Sequence, residues 1–314
     1  MKLIISASRR TDIPGFYSDW FMNRLQEGYV LVKNPRNPNR TSRINLNPEV
    51  IDCLVFWTKN PKPMLKKLDI IEKMGYPFYF QYTLTPYDTK VEKGLPPKAE
   101  LMETFKRLSD QIGPERIVWR YDPVIINTEF SVEYHLDAFG KMADELGKYT
   151  HRCIFSYIDL YPKVQKRVKG IVEDEVNELN MNRIAEGFST IASEYQLSLS
   201  TCSETIDLSS FGISHAACID QSMVEEIIGC PIRAKKDPNQ RMACGCVESV
   251  DIGSYDSCSY GCMYCYATTS QDTVLKNMRQ HNKKSPILIG EPNPDHLVTD
   301  RTAKSQKITQ LTLF

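Results

Sequence analysis

Net charge is what this chain lacks first: 39 Lys and Arg balance 39 Asp and Glu over 314 residues. No global field draws it to nucleic acid or to an anionic membrane, which weakens a nucleic-acid substrate without excluding one. Long apolar runs are missing as well. No stretch approaches the ~20 residues of a membrane span. Met1–Ile5 is too short for the apolar core of a signal peptide, and Arg9-Arg10 follow at once. The expected location is the cytoplasm, with no membrane partner. Repeats and low-complexity segments are absent. Cysteine is nearly absent from the first 200 residues, where only Cys53 and Cys153 occur.

What is present is globular: 41% apolar and 25% charged residues. Six β-branched or aromatic runs recur at Leu3–Ser8, Cys53–Trp57, Phe78–Thr83, Ile117–Tyr121, Cys153–Ile158 and Leu197–Thr201. Amphipathic stretches lie between them, at Tyr17–Glu27, Met64–Met74, Lys98–Ile112, Val132–Leu146 and Val176–Tyr195. Strands alternating with helices predict βα units on a parallel sheet, and near-continuous apolar strands predict burial on both faces. The expected fold is an α/β, TIM-like (β/α) barrel over 1–230. A cysteine-rich segment, 231–290, would pack on the barrel mouth, and a polar tail, 291–314, would follow. Gln221–Ile228 and Ala267 to about Gln280 read as helices, and Pro286–Gly290 as one more strand.

Each of the six runs ends in polar residues: Arg9 and Arg10, Lys59, Thr83 and Thr85, Arg120 and Asp122, Asp159, then Cys202 and Glu204. Sites in α/β barrels form at the C-terminal strand ends. A strand-end Arg can also grip a carboxylate or phosphate through two parallel hydrogen bonds. The expected lining is therefore Arg9, Arg10, Lys59, Arg120, Asp122 and Glu204. Lone His215 reads as a packing residue.

Ten cysteines in a reducing compartment favour metal or redox chemistry over disulfides. Five fall between 244 and 265. Cys258, Cys262 and Cys265, with Gly261 letting the loop curl, suit three corners of an iron–sulfur cluster whose fourth iron stays open. A structural zinc site and an electron-transfer cluster remain open on the same residues. Cys244-Gly245-Cys246 with Cys202 and Cys218 form a second set of four thiols, suited to another cluster or to zinc. Cys53, Cys153 and Cys230 read as structural.

The Cys258–Cys265 run matches the CxxxCxxC signature of radical S-adenosylmethionine enzymes, including the aromatic Tyr264 before the last cysteine. The whole chain resembles a family of unassigned activity, domain-of-unknown-function family 1848. The resemblance is carried by Ser8-Arg9-Arg10-Thr11-Asp12-Ile13-Pro14, Phe56-Trp57-Thr58-Lys59-Asn60-Pro61, Arg120-Tyr121-Asp122-Pro123 and the block Ala243–Ala267, and spans about residues 4–290. It implies metal-cluster chemistry on a barrel. The superfamily signature implies a [4Fe–4S] cluster, S-adenosylmethionine, a six-stranded partial barrel and a ferredoxin or reductase as electron donor. Two departures stand out. Radical enzymes carry their cysteine loop after the first strand, whereas here the cysteines come last. Their Gly-Gly-Glu motif has only a faint echo in Gly290-Glu291.

The chain ends Gln310-Leu311-Thr312-Leu313-Phe314, which resembles the bacterial sliding-clamp-binding peptide. The leading expectation is a radical enzyme acting on an unknown substrate. Arg120, Asp122 and Glu204 would be catalytic, and Arg9, Arg10, Lys59 and Tyr264 would bind cofactor. A DNA- or nucleotide-directed enzyme of the photoproduct-lyase kind, recruited by a sliding clamp, is the second. A non-catalytic iron–sulfur or zinc protein is the third.

Overall fold

A computed structural model describes residues 3–172, 174–293 and 295–301. The strands are β1 (Leu3–Ala7), β2 (Tyr29–Asn34), β3 (Asn37–Asn45), β4 (Ile51–Thr58), β5 (Phe78–Thr83), β6 (Ile117–Val124), β7 (Arg152–Tyr157), β8 (Ser198–Cys202), β9 (Ser214–Ala216), β10 (Val250–Asp251) and β11 (Leu297–Asp300). The helices are α1 (Ile13–Phe16), α2 (Ser18–Glu27), α3 (Leu68–Lys73), α4 (Lys98–Ile112), α5 (Val132–Leu146), α6 (Pro162–Val168), α7 (Glu178–Glu194), α8 (Gln221–Ile228) and α9 (Gln271–Arg279).

Eight strands make one parallel sheet in the order β10-β1-β4-β5-β6-β7-β8-β9. The strand period of two separates its faces. Leu3, Ile5 and Ala7 of β1, Leu54 and Phe56 of β4, and Phe78 and Phe80 of β5 join the helices in the larger core. Trp119 of β6 stacks on Phe139 of α5 (ring centroids 5.0 Å apart), which stacks on Phe188 of α7 at 4.0 Å. Ile4, Cys53, Val55, Tyr79, Val118 and Ile154 point the other way and meet Met223 and Val224 of α8 in a second cluster. Tyr79 Oη and Gln81 Nε2 both donate to the Cys218 carbonyl, at 2.9 and 2.8 Å, pinning residue 218 across this second face. Both faces are thus buried, as the apolar strands require.

The sheet has eight strands rather than six, because the short β9 and β10 extend it at its two edges. β10 lies inside the expected cysteine-rich segment, so the sheet does not end at residue 230. Its register sets Ile5 beside Val250 and Ser6 beside Asp251. Asp251 makes the join specific. It accepts from Ser6 Oγ (2.9 Å), Ser8 Oγ (2.7 Å), Arg9 N (2.8 Å) and Arg10 Nε (2.9 Å).

A second sheet, β11-β3-β2, was not foreseen. β11 pairs with β3 in parallel, so part of the expected tail is a strand. Pro286–Gly290 is no strand: it makes a single bridge, Leu31 to Ile287. Among the described residues no helix is long and apolar enough to cross a membrane. The expected clamp-binding peptide, Gln310–Phe314, lies outside the described residues.

Candidate functional site

One cavity of about 430 Å³ opens over the C-terminal strand ends, within the ~300–1,000 Å³ usual for small-molecule sites. Its wall includes all seven candidate metal-binding cysteines: Cys202, Cys218, Cys244, Cys246, Cys258, Cys262 and Cys265. Arg9, Arg10, Lys59, Arg120, Asp122 and Tyr264 line it as well.

The Cys258–Cys265 loop is held in place by backbone. Tyr17 Oη donates to Ser257 O (2.5 Å), Gly94 N to Tyr260 O (2.8 Å), and Met263 N to Val91 O (2.9 Å). Gly261 turns the loop at φ +65°, a left-handed conformation that glycine adopts without Cβ strain. At Gly94 a Cβ would fall 2.9 Å from the Ser259 carbonyl, so only glycine permits this approach. Burial pushes the Cys258 thiol well above its ordinary pKa, aided by charge on Asp12, Cys262 and Cys265. Burial also lifts Cys262 to about 12, although the Lys59 ammonium pulls against it.

Behind Cys262 lies Glu92, a residue that sequence reasoning missed. Its side chain is 0% exposed. It pairs with Lys59 at 2.8 Å and with Lys98, and accepts from Thr85 Oγ1 (2.8 Å) and the Tyr264 hydroxyl. Burial disfavours its charge, but Lys59 and Lys98 outweigh burial and bring its pKa down to about 2. The same carboxylate outweighs burial at Lys59 and raises its pKa. Lys59 Nζ also sits 5.3 Å over the Tyr264 ring. Asp12 was missed too. It accepts from Gly15 N, Lys59 N and Thr58 Oγ1 at 2.7, 2.7 and 3.0 Å, and burial pushes its pKa up to about 6.

The other four thiols meet from three stretches of chain. Cys202 Sγ lies 2.9 Å from Cys218 Sγ, and interactions run on from Cys218 to Cys246 and from Cys246 to Cys244. Arg120 Nη1 donates to Cys218 Sγ at 2.8 Å, and Ile219 N to Cys246 Sγ at 3.4 Å. Arg9 hydrogen-bonds to Cys246. Both guanidiniums lie over the Trp57 ring, at 5.3 Å (Arg9) and 5.2 Å (Arg120). Among the described residues, buried Arg9 Nη2 and Trp57 Nε1 have no hydrogen-bond partner. Among the described residues, no three His, Cys, Asp or Glu side chains are pre-shaped around a single ion.

The other expected residues divide by what they touch. Arg10 is committed to Asp251, through Nε at 2.9 Å and through Nη2 to its carbonyl at 2.8 Å. Asp122 is paired with Arg120 and accepts from Ser156 Oγ at 2.5 Å. Burial opposes its charge, but Arg120 and Ser156 hold its pKa below the usual value. Glu204 is not on the cavity wall. It accepts from Tyr157 N at 2.9 Å, and burial pushes its pKa up to about 7. His215 is exposed and away from the cavity. Gly290-Glu291 is likewise away from it. Cys53 and Cys153 are fully buried core, as expected, and Cys230 is half-buried.

Among solved structures, a protein described as a "putative alpha-L-fucosidase" from Bacteroides thetaiotaomicron is similar at 14% identity and a TM-score of 0.27. The match covers 52% of this chain and 66% of that one, just under two thirds of its length. No curated protein matches. The family model described as "Domain of unknown function (DUF1848)" matches residues 4–267, a span that includes the strand-end motifs and all seven cavity cysteines; the chain belongs to that family.

Proposed function

We propose that this chain is a radical S-adenosylmethionine enzyme whose reaction takes place in the strand-end cavity. One observation carries the reading: the Cys258, Cys262 and Cys265 loop shares a cavity of about 430 Å³ with the polar ends of the sheet. The donor set fits a [4Fe–4S] cluster. Three free thiols on a curled, well-anchored loop provide three ligands and leave one iron open. When bound, that cluster would supply one electron to the sulfonium of S-adenosylmethionine, breaking a carbon–sulfur bond to give methionine and a 5′-deoxyadenosyl radical.

The chain's own residues would bind and orient. Lys59 and Lys98 set two positive charges against the single carboxylate of Glu92. The remaining positive charge beside Cys262 suits the carboxylate of the methionine moiety. Tyr264 is fixed by Glu92 and flanks the same place. Asp122, held ionised by Arg120, is a positioning group for that guanidinium. Glu204 would brace the end of β7 through Tyr157 N.

The barrel belongs to this proposal. The main sheet runs in chain order, with β10 returning beside β1. That is the cyclic order of an eight-unit barrel with a seam between β9 and β10, and its cavity would lie at the usual C-terminal face. The parts of 231–290 outside β10 would then close the mouth.

The test is anaerobic. Protein reconstituted with iron and sulfide, reduced with dithionite and given S-adenosylmethionine, should release 5′-deoxyadenosine. The Cys258→Ala/Cys262→Ala/Cys265→Ala variant should release none. An intact cluster without cleavage refutes the reading and leaves a redox or binding protein.

A further inference from the structure

The four thiols away from the Cys258–Cys265 loop have no role in the chemistry above. We propose that Cys202, Cys218, Cys244 and Cys246 hold a second, ligand-complete [4Fe–4S] cluster, which relays one electron to the first. The inference rests on the functional reading above for its direction of electron flow, but its cluster stands on separate residues.

Four soft donors reach one place from the end of β8, from the stretch after β9 and from the loop before β10. Such convergence sets these thiols apart from Cys53 and Cys153, which are dispersed in strand interiors. The surroundings are built for negative charge on sulfur. Arg120 Nη1 donates to Cys218 Sγ, Ile219 N donates to Cys246 Sγ, and Arg9 lies against Cys246. Arg120 is only 5% exposed. A buried guanidinium needs a compensating anion: Asp122 pairs with Arg120, while Cys246, Cys218 and Asp251 act on Arg9.

The unpartnered donors are the second observation. Among the described residues, Arg9 Nη2 and Trp57 Nε1 are buried on the cavity wall without an acceptor, and leaving such a donor unpaired is destabilising. A cluster brings bridging sulfides as well as thiolates, and both accept N–H···S bonds that tune its potential. Zinc bound by the four thiolates would bring the thiolate acceptors alone, without bridging sulfides. These four sulfurs line the cavity shared with the Cys258–Cys265 loop, so a cluster on them would lie beside the first.

The redox step is simple. A ferredoxin-class donor gives one electron to the four-thiol cluster, taking it from the 2+ to the 1+ state. That electron then passes to the open-iron cluster, and no bond is made or broken in the transfer.

Iron and sulfide content of anaerobically reconstituted protein tests the proposal without any activity readout. Wild type should hold about eight iron and eight sulfide per chain, and the Cys258→Ala/Cys262→Ala/Cys265→Ala variant about four of each. That variant, reduced with dithionite, should show a spin-half paramagnetic signal from the remaining cluster. A triple variant without iron, or with zinc in its place, overturns the inference. The variant with Cys202, Cys218, Cys244 and Cys246 changed to Ser separates the two readings. If it holds about four iron while the triple variant holds none, the second cluster fails and the catalytic one stands. If it holds none while the triple variant holds about four, the functional reading fails and the second cluster stands. Should the four-serine variant not fold, the triple variant still decides.

Discussion

Glu92→Gln removes one charge from the most enclosed ion cluster in the protein. The side chain is 0% exposed, and two ammonium groups, one hydroxyl of Thr85 and one of Tyr264 converge on it. Its pKa falls from 4.5 to about 2 on folding. A shift of that size corresponds to about 3 kcal/mol of stability at neutral pH. Mutational experience agrees: breaking a buried pair from one side costs about 3–5 kcal/mol, because the partner charge stays behind. Lys59→Met should cost a similar amount. The double variant should cost less than the sum by over ~1 kcal/mol, since it removes both members of the Lys59–Glu92 pair and leaves only Lys98 without its partner. The pH dependence has a definite sign. A carboxylate with a depressed folded pKa stabilises above its unfolded value and loses that contribution as pH falls from 4.5 toward 2. The gap between wild type and Glu92→Gln should therefore shrink to about 1 kcal/mol at pH 3. Urea unfolding of the metal-free, reduced protein, followed by circular dichroism, measures all of this. A Glu92→Gln cost below ~1 kcal/mol at pH 7, or strict additivity with Lys59→Met, would refute the reasoning.

Three further outcomes follow from other parts of the fold. His135 is fully buried, with Nδ1 2.8 Å from the Tyr121 hydroxyl and Nε2 2.7 Å from the Ile125 carbonyl, and burial depresses its pKa to about 4. Its neutral form stabilises fully above pH 6.5. Between pH 7.5 and 4.5 the protein should lose about 2–3 kcal/mol that a His135→Gln variant does not lose, read from urea midpoints. Gly94→Ala would drive a Cβ toward the Ser259 carbonyl; it should lower iron incorporation at the Cys258 loop while the far-ultraviolet dichroism stays unchanged. Phe188→Ala deletes one face of the Trp119–Phe139–Phe188 stack and should cost about 3–5 kcal/mol in urea unfolding.

The elements that proved legible were those whose local pattern equals their environment. Lys98–Ile112 and Val132–Leu146 are helices with the ends expected, since their apolar stripes lie on the sheet and nothing else competes. Phe78–Thr83 is likewise a strand from end to end. The β2–β3 hairpin escaped notice because its turn and second strand carry Asn34, Pro35, Arg36, Asn37 and Asn39, residues depleted from strands. Only a few of its residues, such as the paired Val30 and Ile44, are buried, too few for an apolar period to show. β9 and β10 are too short for any period to show. At the site, the cysteines and strand-end cations were readable because their chemistry is rare. Glu92 and Asp251 were not, since each gains its meaning from partners brought together by the fold: Lys59, 33 positions away, for one, Ser6, Ser8 and Arg10 for the other.

The clasp of Asp251 on Ser6 spans 245 positions of sequence. At ~5–20 residues per second, roughly 12–50 seconds of synthesis separate the two residues. Throughout that interval β1 has an uncovered edge on its β10 side, with its amides and carbonyls available to any other extended chain. Contacts this distant also slow folding, because the intervening loop must close before they form. The nascent protein therefore has a window of vulnerability at its first strand. That window closes only when β10 arrives, shortly ahead of the cysteine loop.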